Sequence, residues 1–147
     1  MSMLILASLA FLLTHLGMSS TPLRGALVNG VGENGFLGLY TIISFATLGA
    51  MIYTWLQIEQ SGAVWVPGMA ATAVARALIP FSFILIVAGV MAKNPTSVKM
   101  DAAVNEESVD GILKISRHPL QWGIFLWAVV HVIGNGDQAS IVLFGTF

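Results

Sequence analysis

Long apolar runs separated by short polar stretches organise this chain. The first run, Met3 to Gly17, stops at Ser-Ser-Thr-Pro, residues 19–22. Residues 23–34, LRGALVNGVGEN, form a polar, glycine-rich connector. A second run, Gly35 to Ile58, stops at Glu-Gln-Ser-Gly, 59–62. A third, Met69 to Ala92, carries Arg76 and Pro80, and a fourth runs from Pro119 to Gly134. Asn-Gly-Asp at 135–137 reads as a tight turn, with Asp137 as the N-cap of a last run, Gln138 to Phe147.

A membrane-spanning helix takes roughly 20 apolar residues. The pattern therefore predicts an all-α, polytopic membrane helix bundle with four to five transmembrane helices, in one domain over residues 1–147. The last run is too short to span, which predicts that it continues past Phe147. The stretch LILASLAFLL resembles the core of a signal peptide, but the preceding MSM lacks the usual basic residue. A retained first helix is the expectation.

Composition agrees with the pattern. Hydrophobic residues make up 56% of the 147 and charged residues only 9%, against about 25% charged in ordinary soluble domains. With no cysteine, disulfides, thiolate catalysis and cysteine-held metals are excluded. No basic run suggests nucleic acid.

The charges are unevenly placed. Lys93, Lys99, Asp101, Glu106, Glu107, Asp110, Lys114 and Arg117 all fall within 93–117, which reads as the main extramembrane loop. The first and third connectors hold Arg24, Lys93, Lys99, Lys114 and Arg117, and the second and fourth hold no Lys or Arg. The positive-inside tendency then predicts an N-terminus outside and the loop at 93–118 in the cytoplasm. Trp65 is placed for an interface. Gly32, Gly35 and Gly38 form a small-residue stripe suited to close helix packing. Arg76, two turns into its run, suits snorkelling to the outer interface, and Pro80 is expected to kink that helix.

Ionisable groups inside apolar runs mark candidate function. His15 and His131 are the clearest. Neutral imidazole is a common metal ligand, and two such rings on separate helices can take the two axial positions of a haem iron. Arg24, Arg76 or Arg117 can pair with haem propionates. The plainer alternative is that each histidine only hydrogen-bonds a neighbouring helix. His118 precedes Pro119, a residue favoured at the first helical position. His118 then serves either as a helix-entry residue at the membrane surface or as a contact for a headgroup, phosphate or cofactor carboxylate. His131 lies roughly 18 Å along its helix from Pro119, so His15 has two candidate partners, His131 and His118. No soluble-type catalytic constellation is present, and no catalytic residue is assigned.

The stretches THLGMSSTPLRGALVNGVGENGFLGLYTIISFATL and RHPLQWGIFLWAVVHVIGNGDQASIVLFGTF resemble the NnrU family, which includes the related plant 15-cis-zeta-carotene isomerase. Shared features are a first-helix histidine, a Pro-Leu-Arg step, a Gly-Glu-x-Gly-x-x-Gly-Leu-Tyr entry to the second helix, and Arg-His-Pro. The resemblance spans essentially the whole chain. In the isomerase branch it implies a haem b cofactor with axial ligands at positions matching His15 and His131, and His118 within a family motif. That branch isomerises a cis double bond in a carotenoid. Bacterial members are linked to denitrification and nitric oxide handling, and this short chain looks closer to them. The resemblance thus implies haem-dependent isomerase-like or redox chemistry on a hydrophobic small molecule within membrane lipid. Two other classes fit the pattern: an S-adenosylmethionine-dependent membrane methyltransferase, which also uses an Arg-His-Pro-like helix entry, and a non-catalytic subunit of a larger membrane complex.

Overall fold

The computed structural model describes residues 1–59, 61–92 and 111–147. The glutamate pair 106–107 and most of the expected loop lie outside them. Every regular element among the described residues is helical: α1 (Ser2–Ser19), α2 (Pro22–Leu56), α3 (Met69–Met91), a short 3-10 helix (Gly111–Lys114), α4 (Pro119–Asn135) and α5 (Gln138–Gly145). By length and composition, α1, α2 and α3 are each apolar and long enough to cross a membrane. At 17 residues α4 is shorter, and α5 has eight.

The chain divides into two compact units. One comprises Met1–Val64 with Asp137–Thr146, the other Trp65–Gly136 with Phe147. In the first, α1 pairs with α2, and α5 touches both. The polar connector expected at 23–34 is helical: Thr21 caps α2 by accepting from the Leu23 N–H, and Pro22 takes the first turn, where no N–H is needed. The helical hydrogen bonding absorbs this stretch's backbone polar groups. Its break comes instead at Gly32, where φ is 74° and ψ is 166°. Only glycine adopts that conformation at little cost. The break separates a short limb, residues 22–31, from a long limb, residues 33–56.

In the second unit, α3 and α4 pair closely and antiparallel. A Cβ added at Gly89 would strike the Leu120 backbone, and one at Gly123 would lie 2.8 Å from the Ile86 nitrogen and 3.0 Å from the Ser82 oxygen. Farther along, Gly134 faces the Ala75 methyl. The buried Ser82 hydroxyl donates to the Gly123 carbonyl at 3.0 Å. Two helices approach this closely only where side chains are missing. These residues, and not the stripe at Gly32, Gly35 and Gly38, make the tight contact. Added Cβ atoms at Gly32 and Gly38 meet nothing, and one at Gly35 meets only Val31 of the same helix. The α3 helix runs unbroken through Pro80.

Turn chemistry follows the sequence reading at Asp137. Gly136 ends α4 in the left-handed conformation, φ 72°, and an added Cβ there would collide with the Trp65 carbonyl. Asp137 caps α5 by accepting from the Ser140 N–H at 3.0 Å. The Ala139 N–H donates to the Ser61 hydroxyl, and the Gln138 N–H to the Gly62 carbonyl. In the other unit the Trp65 indole N–H donates to the Ile133 carbonyl at 3.3 Å, satisfying an orphan acceptor at the end of α4.

Candidate functional site

His15 lies on α1, one turn beyond Phe11 and on the same side as the buried Leu4, Phe11 and Met18. The side is set by spacing: positions 4, 11, 15 and 18 repeat at the helical period. Across from it, the long limb of α2 presents Phe36, Tyr40 and Ser44, four residues apart and so on one face. The half-buried imidazole is held at both nitrogens. The Tyr40 hydroxyl lies 2.9 Å from Nε2, and the Ser44 hydroxyl 3.3 Å from Nδ1. Phe11 stacks on the ring at 4.9 Å between centroids, and the Tyr40 ring leans against it at 5.1 Å.

The aromatic line continues from Tyr40 to Phe36, 6.0 Å apart, and the Arg24 guanidinium sits 5.3 Å from the Phe36 ring centre. Arg24 also pairs with Glu33 at 2.8 Å. The turn at Gly32 places Glu33 within reach of Arg24, nine residues earlier. Of the expected site residues, the first unit thus brings together His15 and Arg24, linked through Tyr40 and Phe36.

His131 belongs to the second unit. Its Nδ1 donates to the Trp127 carbonyl one turn earlier, at 2.7 Å, and the Trp127 ring lies 4.7 Å away. A carbonyl only accepts, so the proton of the neutral ring is on Nδ1 and its lone pair on Nε2. His118 is the exposed N-cap residue of α4; its N–H donates to the Ser116 hydroxyl and its carbonyl accepts from Trp122. That is the helix-entry role expected from the following proline. Arg117 is exposed beside it. Arg76 is exposed on α3, as snorkelling requires.

A second polar place lies between α2 and α5, a cleft of about 390 Å³ lined by Trp55, Glu59, Ser61, Asp137 and Ser140. Burial alone would raise the Asp137 carboxyl, but hydrogen bonds from Ser140 and Ser61 hold it below its ordinary value. Asp137 is therefore a helix cap kept ionised by its donors.

Among the described residues no three His, Asp or Glu side chains gather as a metal-holding set. A haem needs less from the protein, since its macrocycle supplies four of the iron's ligands. The donor chemistry at His15 and His131 suits that demand: each ring has its Nδ1 engaged by the protein, which orients Nε2. At His15 the Tyr40 hydroxyl already occupies Nε2.

The sequence pattern singled out His15, His131 and Arg24 as candidates but not Tyr40 and Ser44. Their spacing was visible; that they face His15 depends on how α1 and α2 pair.

Taken together these features define a protein that is helical throughout its regular elements among the described residues, has the make-up of a membrane protein and carries half-buried histidines in apolar helices. The chain belongs to the NnrU family: the family model, described as NnrU protein, matches residues 3–147. No curated protein and no solved structure matches the chain.

Proposed function

We propose that this NnrU-family protein is an integral membrane protein that binds haem b, with His15 and His131 as iron ligands and Arg24 and Arg117 as candidate partners for the propionates. One observation carries the reading. Each histidine sits in an apolar helix with its Nδ1 engaged, by the Ser44 hydroxyl in one case and the Trp127 carbonyl in the other. Ligating imidazoles are oriented in this way. The family resemblance points to the same two positions.

A bound haem would supply redox chemistry, or a reduced iron able to act on a conjugated, hydrophobic substrate delivered from the lipid. The chain's own groups would orient the rings, neutralise the propionates and keep water from the apolar side. In this reading Arg24 exchanges Glu33 for a propionate. The Arg24–Glu33 pair is about half exposed, and such pairs contribute only about 0–1 kcal/mol, so the exchange costs little. The charge distribution supports the N-terminus outside and Arg117 and His118 on the cytoplasmic side.

The test is an absorption spectrum of protein purified from haem-replete cells, oxidised and then reduced. A Soret band is expected, and His15→Ala and His131→Ala should each shift or abolish it while His118→Ala keeps it. A colourless, folded wild-type protein that does not take up added hemin overturns the reading.

A further inference from the structure

We propose that Tyr40 and Ser44 form a two-sided holder for His15 in which the Tyr40 phenol is the built-in rival of the iron for Nε2. The inference rests on the haem reading above, which already uses Ser44, and adds Tyr40 to it. The geometry is specific. Tyr40 and Ser44 stand one turn apart on α2, and their hydroxyls reach opposite nitrogens of one ring, at 2.9 Å and 3.3 Å.

An imidazole nitrogen has one lone pair or one hydrogen. With the proton on Nδ1, the ring donates to the Ser44 hydroxyl, and the Tyr40 O–H donates into Nε2. Iron binding at Nε2 uses the same lone pair. The two states would exclude each other: Nε2 could hold iron only once its hydrogen bond with the Tyr40 O–H is broken. No proton changes hands, because the phenol keeps its hydrogen and Nδ1 keeps its own. Ser44 holds Nδ1 in both states and thus keeps the ring aimed while the partner at Nε2 changes. Phe11 stacks on the ring in support.

The two hydroxyls therefore act with opposite sign. Removing Tyr40's frees Nε2 and should tighten binding by roughly two- to tenfold, the range of one net hydrogen bond. Removing Ser44's should weaken binding by roughly 10- to 100-fold, as loss of a group orienting a ligating imidazole commonly does. A purely structural role for Tyr40 would give the same sign for both.

The experiment has two arms on the full chain in detergent. The first titrates hemin into wild type, Tyr40→Phe, Ser44→Ala and His15→Ala. The second needs no haem: it measures, by peptide mass spectrometry, the rate at which diethyl pyrocarbonate acylates His15 in haem-free protein. That reagent attacks an imidazole lone pair, so Tyr40→Phe should speed the reaction several-fold. The expected result is tighter hemin binding and faster acylation in Tyr40→Phe, weaker binding in Ser44→Ala, and no effect of Tyr40→Phe when combined with His15→Ala. If hemin binds but Tyr40→Phe leaves both affinity and acylation unchanged, or weakens binding, the rivalry is overturned and the haem reading stands. If neither wild type nor Tyr40→Phe binds hemin, the haem reading falls and this inference falls with it.

Discussion

Asp137 shows how one residue couples local structure to solution behaviour. It closes the first turn of α5, and replacing it with alanine should cost about 1 kcal/mol, as lost N-caps do. Its carboxyl is held below the ordinary 3.8 by Ser140 and Ser61 despite burial. The unfolded chain then takes up the proton more readily than the folded one. The carboxylate's stabilising contribution is present above that ordinary value and lost as pH falls through the folded one. Thermal melts in detergent should show wild type losing stability as pH falls through the ordinary carboxyl value of 3.8 and below it, with Asp137→Asn flatter across that range. Equal pH slopes would contradict the cap's role. At Glu33 the expectation is smaller: Glu33→Gln should move stability by no more than about 0.5 kcal/mol. If Arg24 serves a propionate, the same variant should bind hemin at least as tightly as wild type.

At the scale of elements, the apolar runs predicted the helices well. Met69 to Ala92 became Met69–Met91, and Pro119 to Gly134 became Pro119–Asn135. Terminating signals were equally legible: His118-Pro119 opens α4, and Gly136-Asp137 separates α4 from α5. The polar stretch after Pro22 misled because polarity marks exposure, and an exposed helix satisfies its backbone as well as a loop does. The glycines misled for another reason. A small residue reports room for a neighbour without saying which neighbour arrives. Gly32, Gly35 and Gly38 cluster in sequence, yet a Cβ added at any of them meets no other helix, whereas Gly89 and Gly123 lie on different helices and each lets the partner helix's backbone approach. Tyr40 and Ser44 were hidden in the same way, because their partner is 25 and 29 residues distant. At Gly32, φ 74° with ψ 166° falls in a region essentially open to glycine alone, so alanine should cost roughly 1–3 kcal/mol. Gly32→Ala should lower the melting temperature and weaken the Arg24–Glu33 pairing, which a double-mutant cycle with Glu33→Gln would measure.

For the whole molecule, the outer faces are as apolar as the interior. Leu13, Ile42 and Phe45 are each about 70% exposed, along α1 and α2. Water does not tolerate contiguous apolar surface of that extent, whereas lipid does. The absence of cysteine makes topology directly measurable. In the proposed orientation, a membrane-impermeant maleimide applied to intact cells should label Val64→Cys and spare Ile115→Cys until the membrane is opened. Both positions are exposed. The reverse pattern would invert the orientation without touching the haem reading.

The two missing methyl groups at Gly89 and Gly123 reach further than the contact they permit. With no side chain between the backbones, α4 can neither roll nor slide on α3 without collision, and a rigid helix passes that constraint along its whole length. His131 stands two turns from Gly123, roughly 12 Å away, so its compass bearing is dictated by a hydrogen atom it never meets. Gly123→Ala would push against the Ile86 and Ser82 backbones and should cost about 1–3 kcal/mol. It should also turn the imidazole off its bearing and disturb any spectrum that His131 shapes, though every candidate ligand is left in place.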